Sequence, residues 1–195
     1  MCDRKCLILG SASPRRAKIL HGLGIEFEVV PPGVQEVFAE HRPQWTVEEN
    51  ASRKNRWCRR RHAGRDVLTA DTVVVFEGRC LTKPRSREEA KAFLRMFSGR
   101  AQDILTGVAY AEAGWRERVE VVRSSVTFRK LDDATIETYF KAVDPMDKAG
   151  AYDIDQHGDL IIQSHSGSRT NIMGLPAELV GNWLARRHAR AGSEA

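Results

Sequence analysis

Apolar residues recur along this chain in short runs, separated by polar stretches rich in Gly and Pro, and the runs alternate between strand-like and helix-like spacing. Residues 6–9 form a short continuous apolar run that predicts a buried strand. Ser13 follows as an N-cap, with Pro14 at the first helical position and Ala17, Leu20 and Leu23 on one face of a helix ended by Gly24. Residues 27–30 predict a second strand, and Pro31-Pro32-Gly33 opens a loop that carries Glu36 and Glu40. Thr46-Val47-Glu48-Glu49 fits a capping box and starts a helix to about His62.

Residues 66–76 predict a long strand, turned at Glu77-Gly78 into a short return strand ending near Lys83-Pro84. Ser86-Arg87-Glu88-Glu89 is a second capping box, whose helix stops before Gly99. Residues 103–111 and 118–128 are strand-like and join across Ala113-Gly114 as a hairpin. A helix from Leu131-Asp132-Asp133 through Phe140, a strand over 160–163, a loop over 166–174 and a helix from Pro176 to about His188 complete the chain. Strands alternating with helices around a central hairpin give an α/β (mixed α+β) class, a mixed sheet with helices packed on it.

The 195 residues suit one domain, 1–195, or two small lobes sharing a core, and no repeat or low-complexity linker divides them. No stretch approaches the roughly 20 apolar residues of a membrane span. The early apolar run is too short for a signal-peptide core, and Cys2, Cys6, Cys58 and Cys80 form no regular framework. Reduced thiols in a cytoplasmic protein are therefore expected. The formal charge of +5 is uneven: residues 1–65 carry 13 Lys/Arg against 7 Asp/Glu, and the rest 18 against 19. The basic surplus lies in the N-terminal third and favours an anionic partner there, phosphate or nucleic acid.

Four features carry candidate chemistry. The first is Ser11-Ala12-Ser13-Pro14-Arg15-Arg16. A helix N-terminus favours acidic residues in its first turn, yet two arginines stand here, which is unfavourable unless an anion sits between them and the helix end. Ser11 and Ser13 add hydroxyl donors; the alternative is a solvated arginine pair. The second is Asp71, a carboxylate inside an apolar run, costly to bury unless paired or bound to a cation, and otherwise a strand edge or bulge reaching water. The third is scattered charge that can converge on these two: Glu36, Lys54 and Lys83, each alone an ordinary surface charge. The fourth is the small-residue runs 147–152 and 167–176, suited to tight turns near a ligand and equally usual in plain loops. Gly-x-Gly-x-x-Gly, the Walker-type loop and Gly-x-Ser-x-Gly are absent, and the six histidines lack metal-ligand spacing. Arg59-Arg60-Arg61 reads as a solvated face rather than a nucleic-acid contact.

In order and spacing these segments resemble the Maf family of nucleoside triphosphate pyrophosphatases across residues 6–188. The resemblance rests on Ser11 to Arg16, Ala51-Ser52-Arg53-Lys54, Ala70-Asp71-Thr72-Val73-Val74, Lys83-Pro84, Leu94 with Ser98-Gly99, Thr106-Gly107-Val108, the run 147–152 and Gly174-Leu175-Pro176. It implies an elongated mixed sheet related to the inosine triphosphatase fold, with two lobes around a deep cleft. It also implies a homodimer and Mg²⁺- or Mn²⁺-dependent hydrolysis of a nucleoside triphosphate to monophosphate and pyrophosphate. Arg15, Arg16, Lys54 and Lys83 match the family's phosphate-binding residues, Glu36 and Asp71 its acidic pair, and Asp71 its proton acceptor. The cation would be held by Glu36, Asp71 and the phosphates. Arg15 and Thr72 fit the pyrimidine-selective branch (dTTP or UTP), whereas Asp155 stands where that branch has glutamine and Gln102 where histidine is frequent. A modified purine triphosphate, or a regulatory protein that binds nucleotide or nucleic acid without catalysis, are the competing readings.

Overall fold

The computed structural model describes residues 6–191, with side chains through residue 186. Seven strands among them form one mixed sheet: β1 (Leu7–Gly10), β2 (Phe27–Val29), β3 (Val67–Phe76), β4 (Arg79–Leu81), β5 (Ala101–Ala111), β6 (Arg118–Phe128) and β7 (Ile162–Ser166). Their order is β2-β1-β3-β5-β6-β7, with β4 paired to β3 outside that path. β1 runs parallel to β2 and β3, and the remaining pairs are antiparallel. Helices α1 (Pro14–Gly22), α2 (Pro43–Arg61), α3 (Arg87–Phe97), α4 (Asp133–Ala142), α5 (Arg169–Ile172) and α6 (Ala177–Ala191) accompany the sheet. This is the mixed α/β architecture that the alternating periodicities predict.

β3 is buried on both faces, which is why its sequence reads as an almost unbroken apolar run. Alternation sends Thr69, Asp71, Val73 and Val75 to the face covered by α2, where Val47, Val73, Val75 and Cys80 pack together. Leu68, Ala70, Val74 and Phe76 face the other way. There the core divides in two. Leu68 and Ala70 join Leu20 of α1 and Val180 and Trp183 of α6. Val74 and Phe76 join Leu94 and Phe97 of α3 and Ile136 and Tyr139 of α4. Thr72 lies between these clusters, and the site straddles β3 here, with Thr72 on this face and Asp71 on the α2 face.

Several boundaries depart from the sequence expectation for local reasons. α2 starts at Pro43, one turn before the Thr46 capping box, and the Thr46 hydroxyl instead bonds back to Arg42 O at 3.0 Å. The last strand is displaced to Ile162–Ser166 because Gly158–Leu160 forms a 3-10 turn after His157, whose φ of 52° is left-handed. The loop over 166–174 contains the short helix α5. Leu23 does not line the α1 core face; it sits at the C-cap and is exposed. Cys58 and Cys80 are free and buried, as expected, but Cys6 is disulfide-bonded, which corrects the expectation of reduced thiols at that position; Cys2 lies outside the described residues. No helix among the described residues is long and apolar enough to cross a membrane.

Candidate active site

Asp71 lies in the middle of β3, opposite Gly107 of β5, and points under α2. That placement depends on Gly107. A Cβ there would lie 2.4 Å from Val47 O and 2.6 Å from Val47 C, so only glycine lets the α2 backbone settle this close to the sheet. Asn50 and Lys54, one turn apart on α2, then face β3 together.

Lys54 Nζ is 2.7 Å from Asp71 Oδ1 and 2.6 Å from Glu36 Oε1, so one ammonium joins both carboxylates. Asn50 Nδ2 donates to Asp71 Oδ2 at 3.0 Å. The same Asn50 side chain donates to Val37 O and accepts from Val37 N, tying the Glu36 loop to the Asp71 strand. Lys54 and Asp71 are each 7% exposed, whereas the Glu36 side chain is 58% exposed, so the cluster opens to solvent at Glu36. Partial burial pushes the Glu36 carboxyl up, but its hydrogen bond to Lys54 and the charges of Lys54, Arg16 and Lys83 hold it below its ordinary value.

On the opposite face of β3, Arg16 fills the junction between the two core clusters. Its guanidinium donates to Gly174 O (2.8 Å), Ala70 O (2.9 Å), Thr72 Oγ1 (3.1 Å) and Ser11 Oγ (3.2 Å). Thr72 Oγ1 also pairs with Thr106 Oγ1 at 3.0 Å. Burial lowers the Arg16 pKa, opposed chiefly by the nearby Asp71 charge; a guanidinium stays protonated all the same. Ser11 Oγ also accepts from Ser13 N at 3.1 Å, and the Ser13 hydroxyl makes no capping bond.

Arg15 turns elsewhere. Its Nη1 pairs with Asp153 Oδ2 at 3.0 Å. Lys83 is exposed and has no ion pair among the described residues, yet it acts on both Glu36 and Asp147, and Arg15 acts on Asp147 as well. Lys54, Arg16 and Lys83 thus act on Glu36, and Lys148, Arg15 and Lys83 on Asp147, with Lys83 the charge common to both. Asp155 is held by Arg169, at 2.8 Å from Nη2 and 3.2 Å from Nε, on the wall of a cavity of about 350 Å³ also lined by Ile154, His157, Gly158 and His165.

Glu36 and Asp71 supply the hard carboxylate oxygens that a divalent metal ion takes, and in this structure the Lys54 ammonium bridges them. Among the described residues no group of three or more His, Cys, Asp or Glu side chains forms a closed metal site, so any remaining ligands would come from substrate and water.

A family model described as "Maf-like protein" matches residues 6–187. The chain belongs to the Maf family. Its relatives within that family include the dTTP/UTP pyrophosphatase of Thermotoga maritima, 38% identical over 91% of this chain and 87% of the relative. The dTTP/UTP pyrophosphatase of Myxococcus xanthus is 41% identical over 89% and 88% respectively. Among solved structures, the Staphylococcus aureus Ham1 protein superposes with a TM-score of 0.55 at 14% identity, covering 94% of this chain and 100% of its own, which shows a shared fold.

Of the Maf residues singled out in the sequence, Glu36, Lys54 and Asp71 meet directly, and Ser11, Arg16 and Thr72 form the neighbouring network. Arg15 and Asp155 are each taken up by a partner that their local sequence does not reveal. Asn50 and Asp153 were missed. Asn50 had a usable signal, its position four residues before Lys54 on one helix face.

Proposed function

We propose that this Maf protein hydrolyses nucleoside triphosphates to nucleoside monophosphate and pyrophosphate, with pyrimidine triphosphates such as dTTP or UTP as substrates. The observation that carries this reading is the joining of Glu36 and Asp71 through Lys54, directly across β3 from the fixed Arg16 guanidinium. A site that only bound phosphate would gain nothing from two carboxylates next to an anion. The dTTP/UTP pyrophosphatase relatives support the substrate class.

In this reading the triphosphate lies over the N-terminus of α1, with Ser11, Ser13, Arg15, Arg16, Lys54 and Lys83 offsetting its charge. Water attacks the α-phosphorus, the α–β bridging bond breaks, and the bridging oxygen leaves with pyrophosphate. Asp71 orients the water and accepts its proton. Two of the carboxylate's lone-pair sites are used by Lys54 and Asn50, which leaves others for the water. Glu36 and Asp71 would hold Mg²⁺ or Mn²⁺, which when bound neutralises charge developing on the phosphates. Arg15, Thr72 and Asp155 set base preference. Asp155 lacks an amide donor, and Arg169 supplies N–H groups beside it, so the pair offers both acceptor and donor.

The same reading makes the chain one domain, since both core clusters serve one site. Homodimerisation is carried by the family resemblance. A panel of standard and modified triphosphates with Mg²⁺ tests the proposal. Pyrophosphate release, lost in Asp71→Asn with the fold retained, is the expected result. Binding without release would favour a regulatory protein, and preference for a modified purine would overturn the pyrimidine assignment.

A further inference from the structure

The sequence poses a problem at the start of α1 that the structure resolves in an unexpected way. Arginine in the first turn of a helix opposes the helix dipole, and an anion is needed to relieve it. For Arg15 that anion is part of the chain. Asp153 lies 138 residues away in sequence, and its side chain is only 3% exposed.

A buried carboxylate must have its charge and lone pairs satisfied. Asp153 Oδ2 takes Arg15 Nη1 at 3.0 Å, and Oδ1 accepts from Asp155 N at 2.9 Å. The backbone on either side of the carboxylate is pinned by one phenol. Tyr139 OH accepts from Asp153 N at 2.8 Å and donates to Asp153 O at 3.3 Å. Tyr139 is itself fully buried in the α3–α4 core cluster. A rigid core side chain therefore fixes the loop, the loop fixes Asp153, and Asp153 fixes the arginine. Arg16 is held differently, by carbonyls and hydroxyls from four other residues.

We infer that Asp153 is a positioning residue for triphosphate binding, acting through Arg15. Asp153 occupies one of the five guanidinium N–H donors, so four remain to face a phosphate. It also cancels the unfavourable placement of Arg15 on the helix end, so the side chain is ordered before substrate arrives rather than extended into solvent. The inference rests on the proposed hydrolysis, since it assigns Arg15 to phosphate.

A double-substitution cycle tests it. Asp153→Ala should raise KM for UTP about tenfold, the scale of one lost charge-assisted contact, with a smaller change in kcat. Arg15→Ala should raise KM at least as much. In the Arg15→Ala background, Asp153→Ala should add less than about twofold, because its effect passes through the missing arginine. Asp153→Asn keeps the shape and an acceptor but not the charge, and should fall between the unsubstituted enzyme and Asp153→Ala; it serves as the folded control if Asp153→Ala does not fold. Independent, multiplying effects of the two substitutions would overturn the inference, as would a lower KM in Asp153→Asn, which would make Asp153 a competitor of substrate. Absence of turnover in the unsubstituted enzyme would instead overturn the functional reading beneath it.

Discussion

Gly107→Ala places one methyl group where α2 meets the sheet, on the strand beside Asp71. The added Cβ would stand 2.4 Å from Val47 O and 3.0 Å from Glu48 N. That is about 1 Å short of ordinary contact, and both atoms are backbone, which cannot rotate aside. α2 has little freedom to retreat. Thr69 Oγ1 donates to Ala51 O at 2.7 Å, and Asn55 Nδ2 donates to Val67 O and Ala109 O, so the helix is bonded to β3 and β5 in the two turns that follow the clash. Overpacking of this kind costs about 1–3 kcal/mol. For a chain of this size that lowers Tm by roughly 2–12 °C. The displacement also carries Asn50 and Lys54 away from Asp71, and a misplacement of about 1 Å lowers turnover by up to about a hundredfold. Thermal melting and steady-state pyrophosphate release, measured on the same preparation, check both effects. A variant with unchanged Tm and unchanged kcat would refute the claim that close approach of α2 builds the site.

Three further predictions concern the charges themselves. Lys54→Met removes the cation between Asp71 and Glu36; leaving the buried Asp71 carboxylate unpaired should cost about 3–5 kcal/mol in denaturant unfolding and abolish turnover, and a stable, active variant would contradict the pairing. Arg16→Lys keeps the charge but replaces a planar fork that reaches four acceptors with a single ammonium, so KM should rise about tenfold or more; wild-type KM would show that the network is dispensable. Glu36 has its carboxyl held below the ordinary 4.5, so its contribution is present above that pH and is lost as pH falls through the lower folded value. Glu36→Gln should therefore flatten the acid limb of stability against pH, and an unaltered limb would remove Glu36 from that role.

The extent to which this arrangement was legible in the sequence varies residue by residue. Asp71 stood out because a carboxylate in an apolar strand requires a partner, and the structure supplies Lys54 and Asn50. Arg15 and Arg16 stood out because their charge opposes the helix end. That charge requires an anion, and for Arg15 an internal one is present in Asp153 rather than an external ligand. No local pattern links residues 15 and 153, since that contact exists only once β3 and its neighbours have brought the α1 and α4 sides together. Gly107 is illegible for a similar reason. It lies among apolar strand residues and has an ordinary φ, and only the proximity of Val47 shows why a side chain is excluded. At 160–163 the apolar pattern correctly marked core residues, with Ile161 and Ile162 both buried. It could not distinguish a 3-10 turn from the strand that begins two residues later.

Hydrolysis of UTP in ¹⁸O-labelled water, followed by phosphorus NMR of the products, addresses the central claim most directly. Attack at the α-phosphorus predicts UMP carrying the label and unlabelled pyrophosphate, with no orthophosphate. Label in pyrophosphate, or release of orthophosphate with UDP, would place the cleavage elsewhere and contradict the assignment of the site.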